Sequence, residues 1–380
     1  MISLMRLIGI LLVSCWLISF NSVTAETPAT TQSAHLTEQV IADLLLPIKT
    51  AHDLPSLAGA IVTSNGVIAI GAVGVRKKGT DVAVTKNDLW HIGSNTKAMT
   101  ATIIAKLVEE KKLRWDSNLI EIFPDIAKEF DASKQKMTLT QLLSHHSGLP
   151  ANLKWGSFAA AGNIRQQRSK VVAALQNVKL ESEPGEKFLY SNLGYVIAGA
   201  MAEKVTNKPW EELIAKIIFE PLEMKSAGFG GVGTIGKVDQ PWPHYSNGSP
   251  AKTNGPLTDN PAVIGPAGTV HVSLADYSKF IAEQLKQEKK IKGLVSFESY
   301  KKLHTPPFEG DYALGWIVSK RPWAKGKTLS HAGSNTMNYL VVWIAPNRDA
   351  AFIACTNQGG DEAAKACDEA VSAMIRKYLP

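Results

Sequence analysis

Ser94-Asn95-Thr96-Lys97 decides the reading of this chain. It sits between the tight approach Asp88-Leu89-Trp90-His91-Ile92-Gly93 and the run Ala98-Met99-Thr100-Ala101-Thr102-Ile103-Ile104-Ala105-Lys106-Leu107-Val108-Glu109-Glu110. Apolar residues at three- and four-residue spacing in that run predict a buried helix. Residues three apart on a helix are surface neighbours, so Lys97 reaches the Ser94 hydroxyl and can help to remove its proton. The hydroxyl also stands at the positive end of the helix dipole. S-x-x-K recurs at Ser133/Lys136, Ser249/Lys252 and Ser299/Lys302, so the pattern alone decides nothing. Ser133 lies in a polar stretch, Ser249 is followed by Pro250, and no long apolar helix follows Ser299. Only Ser94 has the context of a nucleophile. The competing reading makes it a helix cap and Lys97 a solvated first-turn residue.

Outward from this stretch, residues 36–50 read as an amphipathic helix. Residues 57–63 and 67–75 read as strands joined at Asn65-Gly66, a hairpin signal. A mostly helical pattern then runs to about residue 303, broken by Pro- and Gly-rich loops. Strand patterns return at 313–319, 327–330, 337–344 and 350–356, and a helix over 361–378 closes the chain. Strands at both ends with helices between predict an α+β fold. An antiparallel sheet forms from the N- and C-terminal segments (about 36–93 and 304–380), flanked by helices, with a mostly helical region (about 94–303) inserted. The active site is expected in the cleft between the two parts.

The 380 residues suffice for one large domain or two smaller ones, and 45% hydrophobic with 20% charged residues excludes a disordered or fibrous chain. Residues 1–25 read as a secretory signal peptide, with Arg6 before an uncharged apolar run (7–20) and small residues up to Ala25 for cleavage. That run is too short for the roughly 20 residues that span a bilayer. A rival reading takes Leu12-Val13-Ser14-Cys15 as a lipid-attachment box with an anchor at Cys15. The expected product is one domain, 26–380, periplasmic or secreted, without a membrane span. A net charge of +7 is modest for the size, and no zinc-finger spacing or aromatic-interleaved basic motif argues for nucleic acid. Cys355 and Cys367 remain after cleavage; an oxidising compartment permits a disulfide between them, and two buried thiols are the alternative.

Two further elements carry chemistry. Tyr190-Ser191-Asn192 follows Pro184-Gly185 and precedes an apolar helix pattern over 193–205, so a phenol and an amide can aim into one cleft. A neighbouring ammonium is expected to lower the Tyr190 pKa and make it a proton shuttle for Ser94. The second copy, Tyr245-Ser246-Asn247, reads as a solvated turn. His331-Ala332-Gly333-Ser334 ends a strand-like run. Gly333 is expected to let a substrate lie close to a strand edge. The Ser334 N–H joins that of Ser94 as an oxyanion hole, and His331 offers a donor or positive charge to a substrate carboxylate.

Two patterns mislead. Gly231-Val232-Gly233-Thr234-Ile235-Gly236 is a literal G-x-G-x-x-G inside the long loop 229–260. A phosphate cradle, however, needs a strand before it and a helix after it, and Pro241 and Pro243 block the helix. That loop is expected to be mobile and to border the cleft. His145-His146 precedes Ser147-Gly148-Leu149-Pro150 and has no third residue at metal-site spacing, so both are expected to hold a turn. The sequence contains no Gly-x-Ser-x-Gly elbow of the other hydrolase class at its serine.

Ser94-x-x-Lys97, Tyr190-x-Asn192 and His331-x-Gly333, in that order, resemble the three signatures of the penicillin-recognising serine hydrolases. The match is nearest to the class C β-lactamase-like, penicillin-binding-protein-like group, which includes D-alanyl-D-alanine carboxypeptidases, D-aminopeptidases and esterases. Leu142-Leu143-Ser144-His145-His146-Ser147-Gly148-Leu149-Pro150, Pro266-Ala267-Gly268-Thr269 and Tyr312-Ala313-Leu314-Gly315-Trp316 resemble further segments of the group. The similarity runs from about residue 54 to 356. It implies a Ser94 acyl-enzyme formed on an ester, D-amino-acid peptide or β-lactam carbonyl. Lys97 and Tyr190 would share the base role, Asn192 would orient Lys97 and the substrate amide, and His331 would steady Tyr190 or a substrate carboxylate. Many β-lactamases have Lys-Thr-Gly where this chain has His331-Ala332-Gly333, a form shared with peptidase and esterase members. β-Lactam hydrolysis as the main role and a non-hydrolytic binder of peptidoglycan peptides with a relic site are the alternatives. The scheme needs no metal or organic cofactor. The expected partners are a small-molecule or peptide substrate and peptidoglycan fragments, with the chain a monomer.

Overall fold

A computed structural model describes residues 36–160, 162–286 and 293–379. The expected signal peptide and its Cys15 alternative lie outside the described residues. The helices that frame the site are α1 (Glu38–Ala51), α2 (Thr96–Glu109), α3 (Asn192–Thr206) and α4 (Asp361–Tyr378). The Thr37 side chain accepts the Val40 N–H at 3.3 Å and starts α1, satisfying one of the orphan donors of its first turn.

β1 (Ser56–Thr63) and β2 (Gly66–Gly74) form a hairpin with Gly66 at φ 111°, a value that glycine reaches without strain. β6 (Ile317–Arg321), β7 (Gly326–Ser334), β8 (Tyr339–Ala345) and β9 (Ala350–Thr356) come from the other end of the chain. All six make one antiparallel sheet in the order β2-β1-β9-β8-β7-β6, closed by β1 against β9 with Ala60 opposite Ile353. α1 and α4 bury Ile41, Leu45, Phe352 and Met374 on one face; α2 and α3 belong to the larger core that packs on the other. β1 and β9 are therefore buried at every residue, which explains their continuous apolar text where a half-exposed strand would alternate. Each fully buried Leu, Ile or Phe stabilises the fold by about 1.5–3 kcal/mol.

A second, three-stranded sheet orders β3 (Leu89–His91), β5 (Val270–Ser273) and β4 (Gly228–Phe229) as β3-β5-β4. Sequence periodicity missed it, because strands of two to four residues are too short to show a period. It carries the chain into the Ser94 turn, where the Ile92 N–H donates to Val270 O at 3.0 Å. β6 begins later than the pattern over 313–319 suggested. Gly315 (φ 90°) turns the backbone so close to α2 that a Cβ there would stand 2.7 Å from Ala98 Cα.

The loop 229–260 corrects another expectation. It is pinned: Trp242 and His244 are buried, Trp242 N–H donates to Arg76 O at 2.7 Å, and His244 N–H donates to Asn357 O at 2.9 Å. Inside it the G-x-G-x-x-G turn is filled by Asn254, which accepts the Gly236 N–H and donates to the carbonyls of Thr234 and Lys237. Tyr245 is exposed, as a solvated turn requires. Cys355 and Cys367 are buried free thiols, the second of the two alternatives. Among the described residues no helix is long and apolar enough to cross a membrane.

Candidate active site

Ser94 lies in the single turn Gly93–Asn95 that leads into α2. Neither Ser94 nor Asn95 makes a side-chain cap to the helix; the Asn95 amide instead donates to Ile92 O (3.0 Å) and Leu340 O (3.2 Å), tying the turn to β8. Gly93 (φ 51°) and Gly333 let the turn and the end of β7 touch backbone to backbone. A Cβ on Gly93 would stand 2.4 Å from Ser334 N, and one on Gly333 would stand 2.1 Å from Ile92 O and 2.6 Å from Ser94 N. Gly333 thus admits the nucleophile turn, and its contact brings the N–H groups of Ser94 and Ser334 to one place. β6 pairs with β7 only as far as Ser330, so the edge from His331 to Ser334 has no strand partner on that side.

Lys97 is fully buried, not solvated. Its Nζ lies 3.0 Å from Ser94 Oγ, 2.8 Å from Asn192 Oδ1 and 2.8 Å from Ala267 O, with no carboxylate among these partners. Burial pushes its pKa well below that of a solvated lysine, because the ammonium has lost water without gaining a counter-charge. The ammonium position also faces the rings of Tyr190 (4.8 Å) and Tyr195 (5.5 Å). Asn192 opens α3, and its Nδ2 donates to Asn152 Oδ1 at 2.9 Å.

The Ser94 side chain is the polar group that acts on the Tyr190 phenol. The expected fall in its pKa is reversed: burial pushes the phenol up to about 12, and the influence of Ser94 offsets this only in part. The residue as a whole remains 37% exposed. His331 departs further from expectation. It is buried, its Nδ1 donates to Ala332 O at 2.7 Å, and its Nε2 accepts from the Tyr312 hydroxyl at 3.0 Å. Burial pushes it down to about 3, so it is neutral at physiological pH and offers no charge to a carboxylate. It steadies Tyr312 rather than Tyr190.

Three further parts go beyond the sequence reading, which gave His145 only a turn to hold. His145, at φ 62° and fully buried, grips both neighbours of Tyr190: Leu189 N–H donates to its carbonyl (2.7 Å) and Ser191 N–H to its Nδ1 (3.0 Å). Its ring lies 4.3 Å from that of Tyr190 and 4.5 Å from that of Tyr312. Burial holds His145 well below the usual histidine range, which keeps the Nδ1 lone pair available. Second, the Asp259 carboxylate joins His91 Nε2 (2.9 Å) and Asn335 Nδ2 (2.9 Å), while His91 Nδ1 accepts the Gly93 N–H (3.1 Å). The long loop is thereby fastened to both sides of the Ser94–Ser334 pair. Third, Asn152 and Trp155 line the cleft of about 340 Å³ together with Ser94, Asn192 and Ser334. Larger surface cavities lie elsewhere, but this one contains the nucleophile. Among the described residues no cluster of three His, Cys, Asp or Glu has the arrangement of a metal site.

The fold and site define a protein of the penicillin-recognising serine-hydrolase class. The Beta-lactamase family model matches residues 37–373, and the chain belongs to that family. Protein flp of Staphylococcus aureus (strain MW2) is 27% identical over 268 residues, covering 69% of this chain and 52% of its own, so the chain spans about half the length of that relative. The octameric penicillin-binding protein homologue from Pyrococcus abyssi superposes with a TM-score of 0.72 at 22% identity, over 90% of this chain and 79% of that one. D-alanine carboxypeptidase AmpC from Burkholderia cenocepacia gives 0.70 at 17% identity, over 88% and 98%. The likeness to an octamer lends no support to the expectation of a monomer.

Proposed function

We propose that the chain is an exported serine hydrolase that forms a Ser94 acyl-enzyme on an ester, D-amino-acid peptide or β-lactam carbonyl. The observation that carries this reading is the hydrogen-bonding of Lys97. A neutral amine has two N–H donors and one lone pair. As an ammonium Lys97 donates to Ser94 Oγ, Asn192 Oδ1 and Ala267 O; in the neutral form that burial favours, the last two keep the donors and the lone pair turns to the Ser94 hydroxyl. Lys97 is therefore the base, and Tyr190, protonated at neutral pH, relays.

Ser94 Oγ bonds to the carbonyl carbon as its proton passes to Lys97 Nζ. The negative oxygen is met by the N–H groups of Ser94 and Ser334. When the bond to the leaving group breaks, the proton from Lys97 reaches the departing oxygen or nitrogen through the Tyr190 hydroxyl. Water then adds to the ester carbon and gives a proton to the same base, which passes it to Ser94 Oγ as the bond from that oxygen to the acyl carbon breaks and the acid product leaves. Asn192 holds the Lys97 lone pair on line. The family and a D-alanine carboxypeptidase of the same fold support acyl transfer as the reaction class.

Turnover of p-nitrophenyl butyrate, D-Ala-p-nitroanilide and nitrocefin, compared between the wild type, Ser94→Ala and Lys97→Ala, tests this. Hydrolysis of at least one substrate is expected to fall by about 10³-fold or more in both variants. Turnover that persists undiminished in Ser94→Ala contradicts the reading.

A further inference from the structure

The cleft around Ser94 is walled by neutral groups. Its polar surface comes from the amides of Asn152, Asn192 and Asn260 and the hydroxyls of Ser334 and Thr336, with Trp155 and Ile264 as apolar wall. Among the described residues no arginine or free lysine lines it. Lys97 is enclosed beneath it and bonded on three sides. His331, where a substrate carboxylate was expected to find a positive charge, is buried with both ring nitrogens engaged, by Tyr312 and by Ala332 O. Asn335 also lines the cleft, but its amide donates backwards to the Asp259 carboxylate. The fixed charge behind that wall is thus negative. A carboxylate entering such a cleft leaves water for hydroxyl and amide donors without a counter-charge, and meets Asp259 across one side chain.

Resting on the hydrolase reading above, we infer that the substrate of this site bears no carboxylate beside the scissile bond: it is an uncharged ester or amide. The neutral walls then cost such a substrate little desolvation, and the amides and hydroxyls suffice to orient its carbonyl. Selection against an acid follows from an unpaired charge, so discrimination is expected in kcat/KM for one leaving group with and without its carboxylate.

The test compares two acetate esters with leaving groups matched in size and acidity, those of methyl 3-hydroxybenzoate and of 3-hydroxybenzoic acid. A companion variant, Thr336→Lys, places a cation at the exposed rim. Position 336 has φ 73°, and Lys111 and Lys325 already occupy positive φ in this chain. The wild type is expected to favour the methyl ester by about tenfold in kcat/KM, the scale of one uncompensated polar group. In Thr336→Lys that ratio should shrink at least threefold. Ser94 labelling by an uncharged fluorophosphonate is followed in parallel aliquots of the same preparations, kept apart from those used for turnover. With Ser94 labelled, equal or better turnover of the free acid, or a ratio that does not move in the variant, overturns the inference alone. No turnover of either ester with Ser94 unlabelled overturns the hydrolase reading, and the inference with it.

Discussion

A lysine amine taken out of water without a carboxylate partner loses its proton far more readily than a solvated one, because the low-dielectric surroundings penalise only the charged form. Lys97 meets that condition, whereas desolvation pushes the Tyr190 phenol up to about 12, so it holds its proton. The two pressures assign the roles in opposite directions: the amine accepts, the phenol relays. kcat/KM should accordingly rise with pH as Lys97 loses its proton, reach a plateau, and show no second rise near the phenol. Tyr190→Phe should lower the plateau and keep the acid limb, whereas Lys97→Ala should remove the limb with the activity. A pH–rate profile of the three proteins checks this. His145 acts one residue further out. If its Nδ1 acceptor and ring hold Tyr190, His145→Ala should lower kcat about tenfold with little change in KM. His145→Asn, which restores an acceptor at the same reach, should recover part of the loss. Equal losses in the two variants would reduce His145 to a space-filler.

At the scale of elements, the end of β7 and the turn before α2 function as one piece because neither Gly93 nor Gly333 has a side chain. Gly333→Ala must move one backbone away from the other, since its Cβ would stand 2.1 Å from Ile92 O. The expected outcome is at least 100-fold lower kcat together with a loss of about 1–3 kcal/mol in stability, the scale of an overpacked contact. Steady-state kinetics and denaturant unfolding measure the two. Asp259→Ala should act on the same place from the loop side, leaving His91 and Asn335 without their shared acceptor. It should depress kcat more than it raises KM. The sequence showed the Ser94, Tyr190 and His331 elements because each combines a special residue with a local turn or helix start. It did not show Asp259, Asn152 or the partnership of Tyr312 with His331. Those residues meet only through tertiary pairing across 76 positions for Asp259 and Asn335. The role assigned to His331 failed for the same reason: its charge depends on burial, which a strand end does not reveal. β3, β4 and β5 went unseen because their partners supply all their order.

For the whole described domain, the long apolar strands and their hairpin were legible, and with them the antiparallel sheet assembled from both ends of the chain. α1 and α4, drawn from those same ends, are joined at His52, whose Nδ1 and Nε2 meet Glu362 (2.9 Å) and Glu369 (3.0 Å). Those bonds raise the His52 pKa, and the Glu362 pKa is lowered, chiefly by Lys365 and also by His52. For a histidine raised on folding, the added stability is complete below the unfolded value and is lost as pH rises through the folded one. For the carboxylate the sense is reversed, with stability lost on acidification. The joint contribution is therefore greatest between about pH 5 and 6.5. The difference in melting temperature between wild type and His52→Gln should be largest in that window and shrink by pH 8. A difference that grows with pH would refute this link.

In this scheme neutral Lys97 removes the proton of Ser94, and the pH dependence of fluorophosphonate modification, read by intact mass and peptide mapping of the adduct, is the sharpest check on that step. One adduct is expected, on Ser94, absent in Ser94→Ala, forming at a rate that climbs as Lys97 loses its proton and levels off well below the titration of Tyr190. An adduct on another residue, or a rate that keeps climbing towards the titration of Tyr190 near pH 12, would contradict it.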